Sequence, residues 1–246
     1  MNNIKHKLLV MSGKGGVGKT TIAVNMAYTL YSLGLKVGLL DADIHGPNVP
    51  KMLRATEEKL LVTDDNKIMP LKIYHDLKMI SMAFLIKKND SVIWRGPMKH
   101  NIIKQFINDV KWGNLDYLIV DLPPGTGDEC ISTIQLLKNI SGVVIVSTPQ
   151  QVSIIDAVKS IDFCHKMNVP IIGMIENMSN GIFGKDTILK VATEYNVNFL
   201  GAVSLNRNIV ESSDKGKPFV LEENNSKKEF KVIVNRIKEF CNKNVR

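Results

Sequence analysis

Apolar runs a few residues long recur along the chain, and most stop at an acid or a small polar residue. They are Leu8-Leu9-Val10-Met11; Val37-Gly38-Leu39-Leu40, ending at Asp41; Asp116-Tyr117-Leu118-Ile119-Val120, ending at Asp121; Gly142-Val143-Val144-Ile145-Val146, ending at Ser147-Thr148-Pro149; Ile171-Ile172-Gly173-Met174-Ile175, ending at Glu176-Asn177; and Phe199-Leu200-Gly201-Ala202-Val203. Continuous runs of this kind suit parallel strands buried on both faces, which have no solvent side to fill with polar residues. Between them the period changes. Ile22, Val24, Met26, Ala27, Leu30 and Leu33 follow a helical pattern that ends at Gly34, and further helices are predicted over 98–110, 129–139, 152–167 and 185–195. The alternation predicts an α/β fold with a doubly wound, mostly parallel sheet, whose ligands gather at the C-terminal ends of the strands. Residues 57–85 break the rhythm: Leu60-Leu61-Val62, the turn Asp64-Asp65-Asn66, then Ile68-Met69 and Leu71-Lys72-Ile73 read as a small β-hairpin insertion. No linker, low-complexity tract or repeat divides the chain, so a single domain over 1–246 is expected.

The first strand runs into Gly13-Lys14-Gly15-Gly16-Val17-Gly18-Lys19-Thr20-Thr21, the phosphate-binding pattern G-x-x-x-x-G-K-[ST] with a second lysine inside it. Glycines are needed because a loop wrapped around phosphates must turn its N–H groups inward without side chains in the way. Lys19 can reach the β- and γ-phosphates, the Thr20 hydroxyl can take a Mg²⁺ position, and the helix N-terminus behind the loop favours an anion. Strand, glycine loop and helix are the context a phosphate-binding P-loop requires, with residues 13–21 as the nucleotide-binding set.

Asp121, at the end of its apolar run, is the expected acidic partner of the P-loop, holding Mg²⁺ through a water. The loop after it, Leu122-Pro123-Pro124-Gly125-Thr126-Gly127-Asp128, is shaped by Pro and Gly and lies where it can sense a γ-phosphate. In Asp41-Ala42-Asp43-Ile44-His45-Gly46-Pro47, two carboxylates two residues apart can serve separate tasks: Asp41 the Mg²⁺ site, Asp43 the orientation of the attacking water. His45 reads as structural or solvated. Lys14 cannot easily fold onto the phosphates that Lys19 serves, but a lysine from a facing subunit can, adding cationic stabilisation in trans. That reading implies a nucleotide-sandwich homodimer; the plain alternative is a solvated lysine.

Composition narrows the partners. Hydrophobic residues make up 44% and charged residues 23% of 246, as in an ordinary globular protein. The net charge of +8 is dispersed, without the aromatic interleaving that single-stranded nucleic acid binding uses, so nucleic acid is not an expected partner. No stretch is long enough to span a bilayer. The C-terminal stripe Phe230, Ile233, Val234, Ile237, Phe240 and Cys241 could lie on a membrane surface, but the reading favours packing on the sheet. Cys130, Cys164 and Cys241 are isolated, with no C-x-x-C or C-x-x-H pair, which argues against a disulfide framework and fits a reducing cytoplasm.

These segments together resemble the Mrp/ApbC group of deviant Walker A ATPases, relatives of MinD, ParA and the nitrogenase iron protein. The resemblance rests on Lys14 to Thr20, Asp41 to Pro47, Arg95-Gly96-Pro97-Met98, Asp116 to Asp128, Ser147-Thr148-Pro149-Gln150, Glu176-Asn177-Met178-Ser179 and Gly216-Lys217-Pro218-Phe219, and spans nearly the whole chain. It implies an ATPase that binds an iron–sulfur cluster and hands it to apoproteins, with Lys14 acting across a dimer and Asn177 contacting the adenine base. One departure stands out. Where the family carries a C-x-x-C pair, this chain reads Met178-Ser179-Asn180-Gly181-Ile182-Phe183-Gly184-Lys185. Thiolates are the usual cluster ligands. Cys130, near a helix start whose dipole could lower its pKa, is then the candidate ligand, set against the plain reading of a small buried residue, and any cluster is expected to be labile. The alternatives are a ParA/MinD-like spatial-organisation ATPase and a nucleotide-dependent adaptor without a cluster.

Overall fold

The computed structural model describes residues 3–85, 96–181, 184 and 186–244. In chain order the elements are β1 (Ile4–Met11), α1 (Lys19–Ser32), β2 (Val37–Asp41), α2 (Val49–Met52), β3 (Leu61–Val62), β4 (Ile68–Met69), β5 (Leu71–Ile73), β6 (Leu77–Ser81), α3 (Gly96–Asn108), β7 (Leu115–Asp121), α4 (Asp128–Leu136), β8 (Gly142–Ser147), α5 (Gln151–Lys166), β9 (Ile171–Ser179), α6 (Thr187–Glu194), β10 (Phe199–Ser204), α7 (Arg207–Asp214) and α8 (Asn225–Lys243). An eight-stranded sheet runs β10-β9-β8-β1-β7-β2-β6-β5. Its neighbours are parallel except β5 and β6.

The apolar runs are continuous because side chains alternate between two covered faces. On β1, Leu8 and Val10 join α1 and α8 in one buried layer, while Leu9 and Met11 join α3, α4 and α5 in the other. Helix α8 begins at Asn224, whose side chain accepts the Lys227 N–H at 2.7 Å, a helix cap. Phe230, Ile233, Val234, Ile237 and Cys241 are all buried, and a Cβ on Gly201 of β10 would stand 2.8 Å from Ile233. Burying each large apolar side chain contributes about 1.5–3 kcal/mol. The stripe is therefore covered by the sheet and is not free to lie on a membrane.

One expectation needs correcting. Only part of 57–85 stands apart from the main sheet: β3 and β4 pair as a separate antiparallel ribbon, Leu61 opposite Met69. Residues 71–81 instead form the edge of the main sheet, with β6 parallel to β2 and β5 folded back on β6. The turn between them carries Tyr74 and His75 at φ 48° and 74°, a left-handed conformation usually signalled by Gly or Asn. Without that signal the hairpin is invisible to pattern reading. The short helices α2 and α7 are likewise unforeseen. Arg95, quoted in the resemblance, lies outside the described residues.

Candidate functional site

The glycine loop joins β1 to α1. Gly16 and Gly18 both have φ 80°, where a side chain is strained. Gly13 is a close approach: a Cβ there would lie 2.1 Å from the carbonyl oxygen of Asp156 on α5. Val17 is buried beneath the loop. Asn177, at the end of β9, donates its amide to the Val17 carbonyl at 2.8 Å and stands against Gly18. The residue that the resemblance assigns to adenine thus also holds the loop in shape. Helix α1 begins with no side-chain cap, so its first-turn N–H groups are left to a ligand. A cavity of about 320 Å³ opens here, lined by Lys14, Gly16, Lys19, Thr20, Asp43 and Pro124 among others. Its far wall, Lys51 and Met52 of α2 with Ser213 and Asp214 of α7, went unnoticed in the sequence because neither helix did.

Strand register brings the acids together. Asp41 and Asp121 end adjacent parallel strands as direct partners, and both are fully buried. Asp121 Oδ1 accepts the Lys19 ammonium at 2.6 Å, whereas among the described residues none stands within hydrogen-bonding geometry of its Oδ2. Burial raises the Asp121 pKa, with the Lys19 ammonium and the Thr20 hydroxyl pulling the other way. Asp41 accepts from the Ser81 hydroxyl at 2.8 Å and from the N–H groups of Asp43 (3.2 Å) and Val49 (3.3 Å). Its pKa is also raised, first by burial and then by the Asp121 charge. Two buried carboxylates beside a cavity, one with an unused oxygen, fit a hard cation: its charge would relieve both.

Asp43 is buried at the cavity wall. Its Oδ1 accepts the N–H groups of His45 and Gly46, each at 3.1 Å, so the turn it begins closes back upon it. Lys14 lines the same cavity, and among the described residues its ammonium makes no ion pair. The loop after β7 is tied to the P-loop by the Gly125 N–H, which donates to the Ser12 carbonyl at 2.8 Å.

Cys130 is buried, as the plain reading of a small buried residue has it, and its pKa shift runs opposite to the one its helix position suggests. It sits in the first turn of α4, but burial pushes its thiol up to about 12 rather than the dipole drawing it down. Its Sγ donates to the Pro123 and Gly125 carbonyls, each at 3.4 Å, which makes it a spacer under the loop. Cys164 and Cys241 are buried in α5 and α8 and are also pushed up to about 12. Among the described residues, no group of three or more His, Cys, Asp and Glu side chains has the arrangement to hold a metal by itself.

Pattern reading also missed Lys99 and Glu129. Lys99 Nζ lies 2.6 Å from Glu129 Oε1 and 3.0 Å from His45 Nε2, and His45 Nε2 lies 3.2 Å from Glu129 Oε1. The only cue was their place beside quoted motifs, Lys99 just after Gly96-Pro97-Met98 and Glu129 just after Asp128.

A glycine loop between strand and helix, with an aspartate closing the neighbouring parallel strand, defines a P-loop nucleoside triphosphatase. Within that class the chain belongs to the ParA-type family described as NUBPL iron-transfer P-loop NTPase, whose profile matches residues 3–238. It is 46% identical over 250 residues to the iron–sulfur cluster carrier protein of Methanocaldococcus jannaschii, covering 97% of this chain and 86% of that one. It is 45% identical over 254 residues to the protein of the same name from Methanococcus maripaludis, covering 99% and 88%. A nucleotide-binding protein of Archaeoglobus fulgidus, solved in complex with ADP, superimposes with a TM-score of 0.79 at 32% identity over 90% of each chain. The septum site-determining protein MinD of Pyrococcus horikoshii, solved in complex with Mg-ADP, shares the fold, with a TM-score of 0.75 at 18% identity over 95% of this chain and 96% of that one. No helix among the described residues is long and apolar enough to cross a membrane.

Proposed function

We propose that this chain is a Mg²⁺-dependent ATPase that works as a nucleotide-sandwich homodimer and serves the transfer of iron–sulfur clusters to apoproteins. The observation that carries the ATPase reading is the buried Asp121, paired at 2.6 Å with the P-loop lysine Lys19, which itself lines the glycine-loop cavity. Lys19 and the loop N–H groups would bind the phosphates. Thr20, Asp41 and Asp121 are the residues that would hold Mg²⁺. When bound, the ion neutralises charge on the β- and γ-phosphates. Asp43, held by the turn it begins, would orient the attacking water. Lys14, with no ion pair of its own, is free to serve a facing subunit's nucleotide. The cluster is the cargo, and the naming of the relatives supports that role.

The test is ATP hydrolysis and ATP-binding calorimetry with and without Mg²⁺, on wild type and Asp43→Asn. Asp43→Asn is expected to bind ATP normally and to hydrolyse it roughly 100-fold more slowly. Equal turnover in the two proteins removes Asp43 from the chemistry. Light scattering with a slowly hydrolysed analogue tests the dimer and the trans role of Lys14; a wild type that stays monomeric with nucleotide defeats both.

A second reading is favoured by one observation. All three cysteines are buried and burial raises the pKa of each thiol, so a nucleotide-dependent adaptor, acting on a cluster that other proteins ligate, matches the thiol chemistry better than a carrier using its own. Anaerobic reconstitution, desalting and iron counting separate the two. A stable cluster lost in Cys130→Ser supports the carrier; iron-free protein with intact ATPase activity supports the adaptor.

A further inference from the structure

Asp43 does not fix its own direction. Its carboxylate is anchored through the N–H groups of His45 and Gly46, so it points wherever the turn 43–46 is held. Ile44, buried, secures that turn from the inside. The outside is the His45 ring, whose side chain is 60% exposed and therefore gains little from burial. What holds the ring is polar. Its Nε2 meets Glu129 Oε1 at 3.2 Å and Lys99 Nζ at 3.0 Å, and those two groups pair at 2.6 Å. Neutral His45 accepts from Lys99, and protonated His45 donates to Glu129, so the ring keeps a partner in either state. The two partners are far better shielded than an ordinary surface pair: the Glu129 side chain is 16% exposed and that of Lys99 19%. They come from the first turns of α4 and α3. Glu129 therefore links the turn bearing Asp43 to the loop 122–127, itself bound to the P-loop through Gly125 and Ser12.

We infer that Lys99 and Glu129 are positioning residues for ATP hydrolysis, which hold Asp43 in its working direction through the His45 ring. The inference rests on the reading of Asp43 as the water-orienting carboxylate. Magnitudes separate this role from a merely structural one. A single ion pair near the surface adds little to stability, whereas a small misplacement of a reacting group costs orders of magnitude in rate. The Glu129 carboxyl is held down at about 2, chiefly by its hydrogen bond from the Lys99 ammonium, so the anchor is charged at neutral pH.

The experiment measures kcat and ATP affinity for wild type, Lys99→Ala, Lys99→Arg, Glu129→Gln, Asp43→Asn and the double variant Asp43→Asn/Lys99→Ala. Lys99→Ala and Glu129→Gln are expected to lower kcat roughly tenfold or more while ATP affinity stays within about twofold. Lys99→Arg should recover most of the rate, since it restores a donor to both partners. The double variant should be no slower than Asp43→Asn, because the pair acts only through that carboxylate. Glu129→Gln is nearly isosteric and carries the test if Lys99→Ala does not fold. The inference is overturned if Lys99→Ala and Glu129→Gln turn over at the wild-type rate, or if the double variant falls by the product of the single effects. If Asp43→Asn itself is fully active, the reading of Asp43 fails and takes this inference with it. If Asp43→Asn is slow and the Lys99 and Glu129 variants are not, only the inference fails.

Discussion

At the ends of β2 and β7, Asp41 and Asp121 are fully buried beside a cavity; nine residues after Asp121, Cys130 is buried almost as deeply under the same loop. Both environments raise the pKa, but they differ in what surrounds the group. Around the carboxylates stand Ser81, backbone N–H groups and the Lys19 ammonium, and one oxygen is still unused. Around Cys130 the nearest polar atoms are two carbonyl oxygens, which satisfy the thiol and would repel a thiolate. Cys164 lies against Met11, with the sulfurs 4.0 Å apart, in an apolar layer. Burial alone does not mark chemistry. Burial with unspent hydrogen-bonding capacity, next to open space, does.

The sharpest test of that contrast removes the cation. Lys19→Ala leaves two buried carboxylates without their neighbouring ammonium, and kcat/KM for ATP should fall roughly 1,000-fold or more. Steady-state hydrolysis measures it, and unchanged turnover takes Lys19 out of the site. The thiol side is tested by labelling. With pKa values pushed to about 12 from 9, the three cysteines should react with a disulfide reagent at pH 8 about 1,000-fold more slowly folded than in denaturant. One fast-labelling cysteine in the native protein breaks the comparison.

Smaller effects probe the frame around the site. Gly13→Ala should cost roughly 1–3 kcal/mol in chemical denaturation, because its Cβ would meet backbone at 2.1 Å. Gly15→Ala, with nothing within 4 Å of the added carbon, should change stability by less than about 0.5 kcal/mol. Equal losses would mean that the close approach to α5 does not hold the loop. The smallest effect is on pH dependence. Glu129 is depressed to about 2, so between its unfolded pKa of about 4.3 and that value the unfolded state binds more protons. The stabilisation is present above that window and is lost as pH falls through it. Solvent screening limits it to about 1 kcal/mol or less. Acid titration should show wild type more stable than Glu129→Gln above about pH 4.3, with the difference shrinking as pH falls below it.

Much of this was legible in the chain. The parallel strands declared themselves because both of their faces are covered, and Leu8 to Met11 needed no polar alternation. The P-loop declared itself because its backbone needs glycine at fixed positions, and Gly16 and Gly18 are indeed left-handed. The misses have local causes. β5 and β6 are joined by a left-handed turn built from Tyr74 and His75, types that carry no such signal. Helix α2 is too short for a periodicity, and α7 buries no residue that would create one. Lys99 and Glu129 are ordinary charged residues whose roles depend on what faces them.

The sequence by itself determined the alternation of strands and helices, the phosphate loop and the identity of the acids at the strand ends. These follow from period, backbone conformation and residue chemistry, which are local properties. Only the tertiary structure decided that Asp41 stands opposite Asp121, that Lys99 reaches both Glu129 and His45, and that every thiol is shut away from solvent. Register, long-range charge pairing and exclusion of water arise from packing segments that are distant in the chain. The ionisation of a side chain follows from those surroundings, not from its neighbours in sequence.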